Sequence, residues 1–256
     1  MRKILMAICA LVLLMTGCFG IENKPPNLVV GLDEEYAPMG FRDEQDELIG
    51  FDIDLAKETA KRMGIAIEFK PIIWDSKIAE LKSGNIDIIW NGLDITPERK
   101  KDILYSKPYL DNRQILLIKK NSQLNFQSES DLAGKIVGTQ AGSNSETYVI
   151  KNENLQNTFK EFRTYGTVKA AFEALESGAV DVLICDEIAA RYEISKIPKK
   201  FKIIDVIIGP VTRIGIGFRK DDVELRNRVQ AAFDEIVKDG TAQKISEKWF
   251  GANLIK

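Results

Sequence analysis

The sequence predicts an α/β protein built from two similar units, and three observations predict it. Strand-like and helix-like segments alternate along most of the chain. The stretch "LKSGNIDII" from Leu81 returns as "LESGAVDVL" from Leu175, each reading Leu-x-Ser-Gly-x-apolar-Asp-apolar-apolar. The 256 residues, 45% hydrophobic and 29% charged, suffice for one large domain or two modest ones with a sizeable core.

The first residues stand apart from this pattern. Met1-Arg2-Lys3 is a short basic start, and Ile4 to Met15 is an apolar run far short of the ~20 residues that cross a bilayer. The expectation is a secretory signal over residues 1–17. Its end, "LLMTGC", resembles a bacterial lipoprotein signal, with Thr16 and Gly17 before cleavage and Cys18 as the lipidated first residue. Met15 stands where that pattern more often has Leu. The alternative is an ordinary signal peptide with an incidental Cys18. Residues 18–27 then read as a polar tether. Cys9 leaves with the signal and Cys18 is modified, so Cys185 is expected to be a lone, chemically idle thiol and no intrachain disulfide is expected.

The mature chain justifies its elements in order. "NLVVGL" is a short apolar strand, and "GFDIDLAKETAKRMG" is an amphipathic helix that Gly64 can close in the left-handed conformation. "IAIEF" is a strand, "DSKIAELKSG" a helix closed by Gly84, and "IDIIW" a strand. Such a rhythm predicts a mostly parallel sheet with helices on its faces. "RQILLIKK" opens the second unit, and "SESDLAGK" sets Ser128 and Asp131 at capping-box spacing. "IVGT" is a strand, "SETYVIKNE" a helix, "TFKEFRTY" a strand, "TVKAAFEALESG" a helix and "VDVLI" a strand, with "FKIIDVII" closing the unit. The tail reads as a strand "RIGIGFR" and the helices "DVELRNRVQAAFDEIVKDG" and "TAQKISEKWFG". The repeated Ser-Gly corner is thus a helix stop before a matching strand in each unit. Ligands of open parallel sheets sit at the carboxyl ends of strands, so two facing units aim their post-strand loops at one cleft. The alternative is chance recurrence of a common α/β corner.

Composition narrows the chemistry. A net charge of −2 argues against a nucleic-acid partner. The chain has no histidine, which excludes His metal ligands and every Ser-His or Cys-His nucleophile pair. No cofactor and no metal are expected.

The loops carry the remaining signal. In "DITPER", Thr96 is a good N-cap and Pro97 a good first helical residue, but Arg99 in a first turn opposes the helix dipole by ~0.3–1 kcal/mol. A guanidinium there suits an anion; a solvated Arg reaching Glu98 or Asp102 is the alternative. In "GTQAGSNS", Gly142 permits a tight turn while Ser143, Asn144 and Ser145 offer donors at a helix start, either for a ligand or merely as a cap. Asp186 and Asp33 each follow a strand directly, so each either caps local backbone or takes a ligand ammonium. Tyr36 and Trp74 are aromatics in loop positions just past strands, where ligand contact competes with core packing.

Taken in order, "GFDIDLAKE", "LKSGNIDIIWNGLDITPER", "SKPYL", "VDVLICDE" and "GTAQKISEKWFG" resemble the polar amino-acid solute-binding proteins of ATP-driven importers, over about Leu28 to Phe250. The resemblance implies the bilobed periplasmic-binding-protein fold, with residues 28–109 and 215–256 as lobe I and 110–214 as lobe II. It implies that Arg99 grips a ligand carboxylate, that Asn91, Gly92 and the next polar side chain help, and that Asp186 pairs with the α-ammonium. It further implies that Tyr36 and Trp74 sandwich the ligand side chain, Asp33 addresses its polar end, and Gln140, Ser143 and Asn144 contribute from lobe II. Asp94 stands where the family usually has Ser or Thr.

The function so implied is a lipid-anchored, extracytoplasmic monomer that binds an amino acid and delivers it to a membrane permease. The alternatives are a dehydratase-like enzyme on the same scaffold, with Glu187 or Asp94 moving protons, and a sensor domain. Asp33, Asp94 and Asp186 against Arg99 leave two carboxylates over when a zwitterion binds. Burying unpaired charge is expensive, so the expected ligand is basic, ahead of glutamine or cystine.

Overall fold

The computed structural model describes residues 27–256; the expected signal, most of the tether and Cys18 lie outside the described residues. The chain runs through β1 (Asn27–Leu32), β2 (Glu35–Tyr36), β3 (Gly40–Arg42), β4 (Leu48–Ile49), α1 (Phe51–Met63), β5 (Ala66–Pro71), α2 (Lys77–Ser83), β6 (Ile88–Ile89) and β7 (Ile103–Tyr105). It continues through β8 (Leu110–Lys119), β9 (Ile136–Gln140), α3 (Asn144–Lys151), α4 (Glu153–Gln156), β10 (Glu161–Tyr165), α5 (Val168–Ser177), β11 (Val182–Asp186) and α6 (Glu187–Lys196). The last elements are β12 (Phe201–Ile214), β13 (Gly217–Arg219), α7 (Val223–Lys238) and α8 (Thr241–Phe250).

Two five-stranded sheets result, one ordered β5-β1-β6-β13-β7 and the other β10-β9-β11-β8-β12. Each has three parallel strands built by the alternating helix rhythm: β5, β1 and β6 in the first, β10, β9 and β11 in the second. Each is completed by two strands in antiparallel pairings, β13 and β7, or β8 and β12. The fold is therefore the expected two-lobed α/β form. The long strands β8 and β12 pair with each other from Phe201 and Lys119 to Ile214 and Leu110, where the chain passes between the lobes. A small sheet of β2, β3 and β4, unanticipated by the pattern, rides on lobe I.

The repeated corner has a structural cause. Leu81 and Leu175 are fully buried anchors, and Gly84 (φ 81°) and Gly178 (φ 83°) turn each helix off in the left-handed region. The Ser83 and Ser177 hydroxyls donate back to the carbonyls of Glu80 and Ala174. Each Asp then clasps the neighbouring strand. Asp87 donates its N–H to Val29 (2.8 Å) and accepts the Val29 N–H on its carboxylate (2.9 Å). Asp181 does the same to Ile136 (2.8 Å both ways). One motif thus sets the register of β6 on β1 and of β11 on β9.

Three segments differ from the pattern. "RIGIGFR" is split: Arg213 and Ile214 finish β12, and β13 starts at Gly217. Between them Gly215 donates to Leu93 O and Ile216 to the Ser106 hydroxyl, so the strand changes partners and sheets. The helix expected through Glu153 breaks at Asn152 (φ −101°, ψ 67°), whose side chain caps α4 instead. "IDIIW" shortens to Ile88–Ile89, because Asp87 is spent on the clasp.

Asp87→Ala is expected to lower the urea unfolding free energy by about 1–2 kcal/mol, because it strands the Val29 N–H. Asp181→Ala, whose clasp is solvent-exposed, should cost less than half as much. Equal losses in the two variants would mean that the clasps are not what holds the register.

Candidate functional site

The two lobes meet face to face, and the loops at the carboxyl ends of β1, β6, β9 and β11 form the seam. Asp33 follows β1. Its Oδ1 accepts the Glu35 N–H (2.9 Å) and its Oδ2 accepts the Gln140 side-chain amide from the other lobe (2.7 Å). Its own N–H donates to Asn91 Oδ1 (3.1 Å), so Asn91 acts by fixing Asp33. The Tyr36 hydroxyl crosses the seam to Asp186 Oδ2. Asp186 sits at the N-cap of α6 yet makes no side-chain cap. Its carboxylate turns instead to Tyr36, Asn112 (2.5 Å) and Gln114 (2.5 Å).

Arg99 is only 7% exposed and lies in a single 3-10 turn, Arg99–Lys101. The Thr96 hydroxyl accepts the Arg99 N–H (3.2 Å), but one turn carries no helix dipole of consequence, so the expected helix-end argument does not apply. The guanidinium donates to Asp94 O (3.2 Å) and, across the seam, to Gly142 O (2.9 Å). Lys77, unremarked in the sequence, joins it. It is 3% exposed and donates to Trp74 O (3.0 Å) and to the same Gly142 O (2.8 Å), with its Nζ 5.0 Å from the Trp74 ring centre.

Asp94 is 3% exposed and reaches neither solvent nor a lysine. Its Oδ1 accepts Asn112 Nδ2 from β8 (3.0 Å) and the Thr212 hydroxyl from β12 (2.6 Å). The Asn112 amide serves Asp94 and Asp186 together, so one network links both lobes to both crossing strands. Asn112, Gln114 and Thr212 were not legible as site residues: Gln114 sits within a strand pattern, and Asn112 and Thr212 fall in the gaps beside strand patterns.

Every charge in this seam is satisfied by neutral groups. Desolvation dominates the consequences. Burial pushes the Asp33 carboxyl up to about 6. Burial, then the Asp186 charge, pushes Asp94 up to about 6 against the pull of Arg99. Burial, then the Arg99 charge, draws Lys77 down to about 7 against Asp75 and Glu146. Burial and Asp186 also raise the Tyr36 phenol well above its ordinary range, keeping it a donor.

Some expected donors are committed elsewhere. The Ser143 hydroxyl caps α3 by accepting the Glu146 N–H (3.0 Å). The Gly92 N–H donates to Asp52 Oδ2 (2.7 Å). Gly92 has φ 59°, and a Cβ there would lie 2.6 Å from the Tyr36 ring, so glycine lets that ring approach. Asn144 is buried at the start of α3, and Trp74 is buried in the turn before α2. Glu187 is bound by Arg113 (2.5 Å) and Arg191 (2.5 Å), chiefly through the Arg113 hydrogen bonds, which hold its carboxyl at about 2. A group so held is a poor proton carrier. Cys185 is a free thiol, raised well above its ordinary pKa by burial.

Asp94 has a testable linkage. Its folded pKa lies above that of the unfolded chain, so its contribution to stability is full below about pH 4 and is lost as pH rises through about 6. Asp94→Asn keeps an oxygen for Asn112 and Thr212 and removes the charge. It should raise the thermal midpoint at pH 7 and leave it unchanged at pH 4. A lowered midpoint at pH 7 would mean that a cation holds the carboxylate.

Comparison with known proteins agrees with this geometry. Residues 28–252 match the family model of bacterial extracellular solute-binding proteins, family 3. The L-cystine-binding protein TcyJ of Escherichia coli is 33% identical over 240 residues, covering 93% of this chain and 88% of the relative. A solved ABC uptake transporter substrate binding protein from Streptococcus pneumoniae, with bound histidine, superposes with a TM-score of 0.84 at 34% identity over 90% of this chain and 94% of that one. An ancestral arginine-binding protein bound to arginine gives 0.82 at 39% identity, over 89% and 100%. Two of the three are named for the amino acid they bind and the third as a substrate binding protein; none is named for a reaction. The chain belongs to the bacterial extracellular solute-binding proteins, family 3.

Proposed function

We propose that this family member is the amino-acid receptor of an ABC-type importer, anchored by a lipid on Cys18, which clamps one L-α-amino acid between its lobes and hands it to the permease. The moving bodies are residues 28–109 with 215–256, and residues 110–214. The observation that carries the reading is a set of charges at the seam, four of them buried and Asp186 half-buried, whose hydrogen-bond partners are all neutral. Arg99 and Lys77 meet at the Gly142 carbonyl, while Asp33 accepts from Gln140 and Asp94 and Asp186 share the Asn112 amide. An α-carboxylate answers the first group and an α-ammonium the second.

The charge count also bears on the side chain. Three carboxylates face two cations, so a zwitterion alone leaves one carboxylate over. A cationic side chain completes the balance, and the faces of Tyr36 and Trp74 add ~0.5–2 kcal/mol for a guanidinium or ammonium. Lys77 reduces the surplus inferred from the sequence from two carboxylates to one. The histidine and arginine complexes of the structural neighbours fit this reading, and the cystine-binding relative favours a neutral polar ligand instead.

Calorimetric titration separates the two readings. Arginine should bind more tightly than glutamine or cystine, and Arg99→Ala and Asp186→Ala should each lose ~2–5 kcal/mol of binding free energy, because each strands a desolvated charge. A clear preference for glutamine or cystine would remove the basic ligand. Near-wild-type binding by both variants would remove the pocket. A diacylglyceryl mass on Cys18 in protein from the native membrane is expected, and an unmodified mature terminus would remove the anchor.

A further inference from the structure

We propose that Lys77 is a second carboxylate-binding cation of the cleft, acting beside Arg99, and that it thereby sets the specificity of the site for ligands bearing a carboxylate; this rests on the functional reading above. Lys77 is the first residue of α2, one turn from the buried Leu81, so the helix period turns it inward. Its ammonium is 3% exposed and is held only by the carbonyls of Trp74 and Gly142. An ammonium buried on carbonyls alone is costly to keep. It shares the Gly142 carbonyl with Arg99, which places two cations at one point, on the loop that leads into Ser143 and Asn144.

Two desolvated cations converging on one neutral acceptor repel each other. A carboxylate inserted between them relieves that repulsion and supplies oxygens for both. Because Gly142 belongs to the lobe opposite Lys77 and Arg99, a carboxylate held there is gripped where the lobes meet.

The geometry makes binding sensitive to pH in a defined direction. The charged groups that bear on Lys77 are Arg99, Asp75 in its own turn, and Glu146 on α3. Burial and Arg99 bring it down to about 7, so its charge is present below that value and is lost as pH rises through it. Asp33 and Asp94, at about 6, titrate mostly below this range, and their deprotonation acts in the opposite sense on a cationic ligand.

The test titrates L-arginine, L-glutamine and L-argininamide into the wild type and Lys77→Met. At pH 6.5 the variant should bind arginine roughly tenfold or more weakly, the loss expected for a hydrogen bond to a charged group. It should bind argininamide, which lacks the carboxylate, about as well as the wild type does. Wild-type affinity for arginine should fall between pH 6.5 and 8.5, and that of the variant should stay level. The thermal midpoint of Lys77→Met should match or exceed the wild type, which separates lost binding from lost folding. Arginine and glutamine affinities unchanged by the substitution would overturn the proposal. So would an equal loss for argininamide, which would make Lys77 a tie between lobes. A wild type that binds neither these amino acids nor cystine would overturn the functional reading and this proposal with it.

Discussion

Charge held largely out of water without a directly paired counter-ion is the constraint on which this structure depends. Two cations and three carboxylates lie in the seam between the lobes, and the partners of each are carbonyls, amides and hydroxyls. Neutral hydrogen bonds offset only part of the desolvation of an ion. The displaced titration of Asp33, Asp94 and Lys77 expresses that shortfall. A protein selected for stability alone would replace such groups with well-packed apolar ones. Their retention is understandable where a charged solute supplies what the seam lacks.

The rest of the fold holds these groups in register. The paired clasps of Asp87 and Asp181 fix the strands whose carboxyl ends deliver Asp33, the Asn91–Asp94 stretch, Gln140 and Asp186. Tyr36 is admitted to the seam because Gly92 has no side chain. The crossing strands are not passive linkers. Asn112 on β8 and Thr212 on β12 both bind Asp94, and Asn112 also binds Asp186, so a cation bound at those carboxylates acts on both crossings at once. Further ties lie toward the rim, where Lys151 pairs with Glu98, Lys169 with Glu35 (3.4 Å), and the Phe41 and Tyr192 rings lie 5.6 Å apart. Such exposed contacts contribute little each, so the contact between the lobes rests chiefly on the buried set.

Much of this was legible in the chain because it is local. Gly64, Gly84 and Gly178 end helices, as glycine after an amphipathic run predicts, Asp33 falls just past one apolar strand, and Asp186 ends another. Arg99 stood out as a cation in the wrong place for a helix start, although the turn proved too short for that reasoning. What escaped depends on contacts remote in sequence. Asn112 and Thr212 are 100 residues apart, and each lies just outside a segment that reads as a strand. Lys77 drew no notice within its helix pattern, yet its spacing of four from Leu81 and three from Trp74 already set it on the buried face. The long run of β12 escaped because Gly209 and Pro210 look like a strand end, whereas bulges carry the pairing past them.

The central claim is that ligand charge draws the two lobes together, and the most direct measurement is the small-angle scattering of the purified protein with and without saturating arginine. The account predicts a smaller radius of gyration with arginine, because the bound zwitterion supplies counter-charges on both sides of the seam. A profile unchanged by arginine, under conditions where calorimetry records saturation, would contradict it.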